Sequence, residues 1–301
     1  MKRLFVIGNG FDLLHDLKTT YKEFFHFCTS YFDGLIAELI EYFDHLSIEE
    51  NWYDFENALS YLNDRKFSDL LRVSKFGNIE QAKEFVENSF SSIKNNLDYL
   101  LSIWSFHISN NELQETKKMF SFKSNDYFLT FNYTEVLEIL YSIPSDKILH
   151  IHGSSADNKN KLIYGHNNTE FTDFLLEEIQ TLQTEEDKLD PDLESELTKK
   201  IVIETQNLTK PVHKCIGENI IWFENKYEQI IVIGHSYSFV DTPYFFKLFE
   251  NNKNSQIVFH CHDEKAKEKL EKMTKSIGLN DFQVIDSLEI QKIFMMNIEV
   301  L

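Results

Sequence analysis

Four loops carry the side chains best suited to chemistry, and each follows a short apolar run. The first, Gly8-Asn9-Gly10-Phe11-Asp12, comes after Leu4–Ile7. Its glycines allow a sharp turn and close approach to a ligand, and a helix starting there offers its first N–H groups to a phosphate. A dinucleotide fingerprint asks for a further glycine where Leu13 stands. Asp12 has two readings, a partner for the loop or a ribose hydroxyl, or a helix cap. The second loop, Thr130-Phe131-Asn132-Tyr133-Thr134, presents an amide at Asn132 for a ribose hydroxyl or a water, or for capping a helix over Glu135–Tyr141. The third is His150-Ile151-His152-Gly153-Ser154. On a strand its two histidines share a face. Gly153 permits a turn that displays His152 at the strand tip, where a neutral imidazole suits general-base work. The fourth, Gly234-His235-Ser236 with Asp241 beyond, suits contact with a ribose or a base, and its other reading is a capped turn. No G-x-S-x-G elbow accompanies Ser236, which argues against a serine hydrolase.

His260 and His262 form a second H-x-H beside that of His150 and His152 and raise a metal-dependent hydrolase or nuclease as an alternative. No H-E-x-x-H helix supports it. Cys28, Cys215 and Cys261 are scattered and form no C-x-x-C, so no cysteine-zinc module and no disulfide framework is expected. The expectation is a site without metal.

The elements that must position these loops alternate. Strands are predicted at Leu4–Ile7, Tyr127–Phe131, Ile148–Ile151, Leu162–Tyr164, Gln229–Ile233, Gln256–His260 and Phe282–Ile285. Helices are predicted at Phe11–Thr29 and Glu264–Ile277. This alternation predicts an α/β fold, a Rossmann-like, mainly parallel sheet flanked by helices. Ligands of such sheets sit outside the carboxyl ends of the strands, where the four loops converge. Between the first helix and Tyr127 the apolar residues recur at helical spacing, as in Phe32, Leu35, Ile36, Leu39, Ile40 and Phe43. We therefore expect residues 1–30 and 126–301 to form the α/β domain. Residues 31–125 form a helical insertion in it, and residues 167–228 a second, acidic helical insertion that includes Phe171–Gln206.

With 30 basic and 49 acidic residues, the net charge of −19 is the wrong sign for general nucleic-acid affinity. The opening MKRLFVIG is cut short by Gly8, which does not read as a signal peptide, and no run approaches a membrane span. The expected location is the cytoplasm, where reduced cysteines are ordinary.

Together, IGNGFDLLHDLKTTYKEF, NWYDFE, FLTFNYTEVLEILY, HIHGS, LIYGH and IGHSYSFVDTPYF resemble the AbiH family, in order and wording, from Leu4 to about Phe246. The resemblance implies a role in bacterial abortive infection, in which the host stops growing or dies before phage matures. A phage component as trigger or a change of homo-oligomeric assembly is the expected control. More distantly, GNGFD, TFNYT, HIHGS and GHSYSFV are similar to the sirtuin-type NAD-binding fold. That likeness implies His152 as the base and Asn132 orienting the nicotinamide ribose or the attacking water. Gly8, Asn9, Gly10, Asp12, Thr130, Gly234, Ser236 and Asp241 then line the dinucleotide. Thr134 stands where the sirtuin loop has Asp, and the four-cysteine zinc module is missing. The missing module points away from protein deacylation, and the helical insertion in its place is similar to that of sirtuin-like defence proteins that hydrolyse NAD. Trp52, Asp54 and Glu56 match the AbiH motif; Glu56 is either a carboxylate for the site or part of an amphipathic helix. The expected function is an NAD-consuming effector, and a nucleotide sensor that cleaves nothing is a further alternative.

Overall fold

Short runs of β-branched and aromatic residues, apolar on both faces, favour parallel strands covered on both sides. Six short runs, the inner ones of this kind, pair in one sheet: β1 (Arg3–Ile7), β2 (Asp126–Thr130), β3 (Ile148–His150), β4 (Gln229–Ile233), β5 (Gln256–His260) and β6 (Gln283–Ile285). The structure, a computed structural model, describes residues 2–63, 66, 78–157, 161–168, 173 and 191–294. Every pairing is parallel, in the order β3-β2-β1-β4-β5-β6. The chain steps outward from β1 through β2 to β3, then returns to the other side of β1 as β4. The topological switch therefore lies between β1 and β4. Register aligns the carboxyl ends: Ile7 lies opposite both Thr130 and Ile233, and Thr130 lies opposite His150.

The described residues fall into two compact units. The first comprises Met1–Thr20, Ser102–Ile163 and Pro211–Leu301 and holds the sheet. Alternate residues of β1 feed its two faces. Leu4 and Val6 join a core with Val212, Phe223, Phe245, Leu248 and Leu270 from flanking helices. Phe5 faces the other way, stacked 5.5 Å from Phe128 and edge-on to Phe122. At the amino ends of the strands, Arg3 makes a forked pair with buried Asp126, at 2.8 and 2.6 Å. The second unit, Tyr21–Leu101 and Tyr164–Lys210, contains the helices Tyr21–Tyr31, Asp33–Tyr42, Phe55–Ala58 and Pro191–Gln206. Trp52 is fully buried there, in ring contact with Phe24, Phe25 and Phe55.

Three local expectations are corrected. Phe11–Thr29 is not one helix. The first helix is Asn9–Leu14, and a new one starts at Tyr21. Asp16 takes a left-handed φ of 60° between them. Leu162–Tyr164 carries no strand; Ile163 makes one backbone bond, to the His152 carbonyl at 2.8 Å. Glu135–Tyr141 supplies only one wide helical turn, Val136–Leu140. Of Phe171–Gln206, the part outside residues 173 and 191–206 lies outside the described residues, and Pro191–Gln206 is helical.

What joins β1 to β4 beyond their ladder is backbone. Gly8 donates its N–H to Ile233 O at 2.9 Å, and Gly10 donates to Gly234 O at 2.7 Å. A Cβ on Gly234 would lie 2.2 Å from Phe11 N and 2.4 Å from Gly10 C, and its φ is +67°. Neither neighbour is a side chain able to swing away. Gly234→Ala should therefore cost about 3 kcal/mol or more, combining left-handed strain with overpacking. Gly278 has a similar φ of +71° but nothing within 4 Å of its Cβ position. Gly278→Ala should cost only about 1 kcal/mol. Urea unfolding of both variants checks the contrast.

Candidate functional site

Because the strand ends are in register, the loops after β1, β2, β3 and β4 stand side by side. The loop after β1 spends its polar backbone internally. The N–H of Phe11 bonds to Gly8 O at 2.9 Å, besides the two glycine N–H bonds to the β4 end. Gly8 and Gly10 thus serve close approach, and what they approach is the backbone of Gly234 and His235. Asn9 is exposed, with its amide on Thr19 O at 2.8 Å.

Asp12 lies inside the helix Asn9–Leu14, whose N-cap is Gly8, so it is no cap. It is 1% exposed. Asn132 donates its amide to Oδ1 at 2.8 Å and also to Gly8 O at 3.2 Å, while Thr134 donates its hydroxyl to Oδ2 at 2.5 Å. This clasp ties the β1 loop to the β2 loop. Thr130 completes it by accepting the Asn132 N–H at 3.1 Å. Burial pushes the Asp12 carboxyl up to about 6, against the lowering pull of Thr134, Asn132 and nearby His150.

The two histidines of the third loop part company. β3 ends at His150, the chain turns at Ile151, and Gly153 takes a φ of +85°. His150 donates from Nδ1 to Asn132 O at 3.0 Å, and its Nε2 meets Glu138 Oε1 at 2.8 Å. Burial alone would make His150 less basic. The bond and charge of Glu138, the Asn132 carbonyl and the charge of Glu135 outweigh it, and the net shift is upward. With both nitrogens turned to acceptors, His150 suits a cation inside a carboxylate pair.

His152, 3% exposed, enters a different cluster. Its Nε2 lies 3.3 Å from the Tyr244 hydroxyl and 4.0 Å from Asp241 Oδ1. The other Asp241 oxygen lies 3.5 Å from His235 Nε2. The Phe131 ring packs against His152, His235 and Tyr244. Of the loop positions expected to line a ligand, Gly234 is part of the β1–β4 contact, Asp241 faces the two imidazoles, and Ser236 is exposed. Sequence reasoning passed over Glu138 and Tyr244, and gave His235 no role beyond its place in the fourth loop. The signal was present in FNYTEVLEIL and GHSYSFVDTPYF, but it becomes readable only when the loops are known to be neighbours.

The two H-x-H pairs do not combine. His260 Nε2 meets Ser287 Oγ at 3.2 Å, and exposed His262 lies 3.3 Å from Asp263. Among the described residues, no group of three or more His, Cys, Asp or Glu side chains is arranged to hold a metal ion. In the second unit, Glu56 meets the buried Lys210 ammonium at 2.8 Å. No helix among the described residues is long and apolar enough to cross a membrane.

Fold and site together define an α/β protein with one all-parallel sheet, whose carboxyl edge carries one buried carboxylate bonded to an amide and a hydroxyl and another beside two imidazoles. Residues 4–262 match the family model for bacteriophage abortive infection AbiH, and the chain belongs to that family. No curated protein and no solved structure matches it.

The clasp has a measurable signature. Asp12 titrates higher folded than unfolded, so folding favours its protonated form. Its stabilising contribution is full below the ordinary aspartate value of 3.8 and is lost as pH rises through about 6. Carboxyl carbon NMR should place the Asp12 midpoint near 6. The stability of wild type relative to Asp12→Asn should fall with pH across the same window. A midpoint below 4 would mean that burial does not outweigh the Thr134 and Asn132 bonds.

Proposed function

We propose that this abortive-infection protein binds a nucleotide of the NAD class at the carboxyl ends of β1 to β4 and hydrolyses it, with His152 accepting the proton of the attacking water. The observation that carries this reading is the setting of His152. It is a buried imidazole in the turn two residues beyond β3, beside a carboxylate and a tyrosine hydroxyl, at the carboxyl edge of a 3-2-1-4-5-6 parallel sheet. That strand order is the one used by Rossmann folds, whose ligands sit at this edge, and it suits the sirtuin-like likeness of the four loops.

The fit to a dinucleotide is partial. The N–H groups of Gly8, Gly10 and Phe11 are already bonded within the protein, so they are not the donors for a diphosphate. Asn132 likewise bonds inward to Gly8 and Asp12, so its contribution is to hold the β1 and β2 loops together. Cleavage of an N-glycosidic bond needs an acceptor for the water's proton and a dry setting. His152 supplies the first and the ring cluster around it the second. A phage-derived trigger and a change in homo-oligomeric assembly are the controls we propose for an activity that consumes a host nucleotide.

The inward bonding of Asp12 and Asn132 favours a second reading, a nucleotide sensor without catalysis. One experiment separates them. Purified protein is incubated with NAD, and cells expressing wild type or His152→Ala are challenged with phage while NAD is followed by mass spectrometry. On the catalytic reading, His152→Ala slows NAD loss roughly 10²–10⁴-fold and abolishes protection. Asn132→Ala also loses activity, with a lowered Tm because the clasp is broken. Protection by wild type with level NAD would leave the sensor reading and remove the hydrolase.

A further inference from the structure

Asp241 occupies the N-cap position of the helix Thr242–Asn251, yet its side chain makes no capping bond. An aspartate at that position ordinarily accepts an N–H from the first turn. Here its oxygens are turned to two imidazoles, at 3.5 Å from His235 Nε2 and 4.0 Å from His152 Nε2. The Tyr237 N–H bonds to His235 Nδ1 at 2.8 Å. That nitrogen must therefore offer a lone pair, and the proton of a neutral His235 sits on Nε2, facing Asp241. One backbone N–H thus fixes the tautomer of His235 and turns it into a donor toward the carboxylate. The Asp241 side chain is 9% exposed and those of His152 and His235 are 4% and 3% exposed. Phe131 and Phe245 pack edge-on to the His235 ring. In such surroundings a carboxylate near an imidazole is weakly screened.

We propose that Asp241 is a positioning residue for His152: it orients the ring and stabilises its protonated form, while His235 holds the carboxylate in place. This rests on the reading of His152 as the proton acceptor. A base that takes a proton in a dry site needs a compensating charge, and Asp241 is the carboxylate beside its Nε2. Tyr244 on the same helix meets His152 Nε2 with its hydroxyl, and His235 in the loop after β4 faces the other Asp241 oxygen. Separations of 3.5 and 4.0 Å are longer than hydrogen bonds, and catalytic contacts of this kind commonly tighten when a ligand binds.

Asp241→Asn is the test, because asparagine is as good an N-cap and of the same shape but lacks the charge. With the full chain, imidazole nitrogen NMR is recorded against pH, and NAD turnover is followed over the same range. In the folded variant the His152 midpoint should fall by about one pH unit or more. kcat should drop roughly 10²-fold or more with KM little changed, and the acid limb should move down with the His152 midpoint. Asp241→Glu keeps the charge and should hold the midpoint close to wild type. An unchanged His152 titration in folded Asp241→Asn overturns the assignment, as does a midpoint in folded Asp241→Glu that falls despite the retained charge. If wild type leaves NAD intact while the midpoint still moves, the nucleotide reading fails and the coupling between Asp241 and His152 stands.

Discussion

The contact between the Gly8–Gly10 backbone and the Gly234–His235 backbone is the constraint on which the site depends. β1 and β4 meet at the switch point, where open parallel sheets usually leave a crevice. Here two glycine-bearing loops meet across it, each passing where a Cβ would collide with main chain. The consequence runs outward on both sides. Fixing the β1 loop places Asp12 under Asn132 and Thr134, which links β1 to β2 and, through the Asn132 carbonyl, to His150 on β3. Fixing the β4 loop sets His235, and with it Asp241 and the setting of His152.

The protein is strongly acidic, yet the carboxylates that matter here are few and buried. Asp12 and Asp241 lie below the surface and differ in what answers them. Asp12 is met by neutral donors, an amide and a hydroxyl, and burial raises it to about 6. Asp241 is met by imidazoles. A buried carboxylate bonded to neutral groups mainly holds loops together. One beside titratable rings can move with the protons of its neighbours. That difference is why the second cluster, and not the first, is the candidate for chemistry.

The strands were legible because their signal is local. Gln229–Ile233 and Gln256–His260 are apolar runs with polar ends, and the structure starts and stops them at those residues. Glu264–Ile277 is likewise a helix between those bounds, capped by the Asp263 side chain and closed by left-handed Gly278. The loops were legible as loops, but their partners were not, since partners depend on which strands become neighbours. Pairing His150 with His152 relied on strand periodicity, which ends at His150. The cap reading of Asp12 assumed a later helix start than Gly8 allows. Asp241 does stand at a helix start, but its carboxylate turns elsewhere, and nothing local in Phe239–Thr242 announces two histidines around it.

The placement of β1 also governs how the chain must be made. Its first strand is the middle of the finished sheet, and the residue that pairs with Arg3 on the β4 side is Gln229. A ribosome adding roughly 5–20 residues per second needs on the order of 10–50 s to deliver that partner. Through that interval Leu4–Ile7, buried on both faces in the end, can cover one edge at most, by pairing with β2. Completion of the sheet, and with it the arrangement of Asp241 against His152, is thus deferred until late in synthesis. For this member of the bacteriophage abortive infection AbiH family, late assembly means that unfinished chains cannot bring Asp241 against His152.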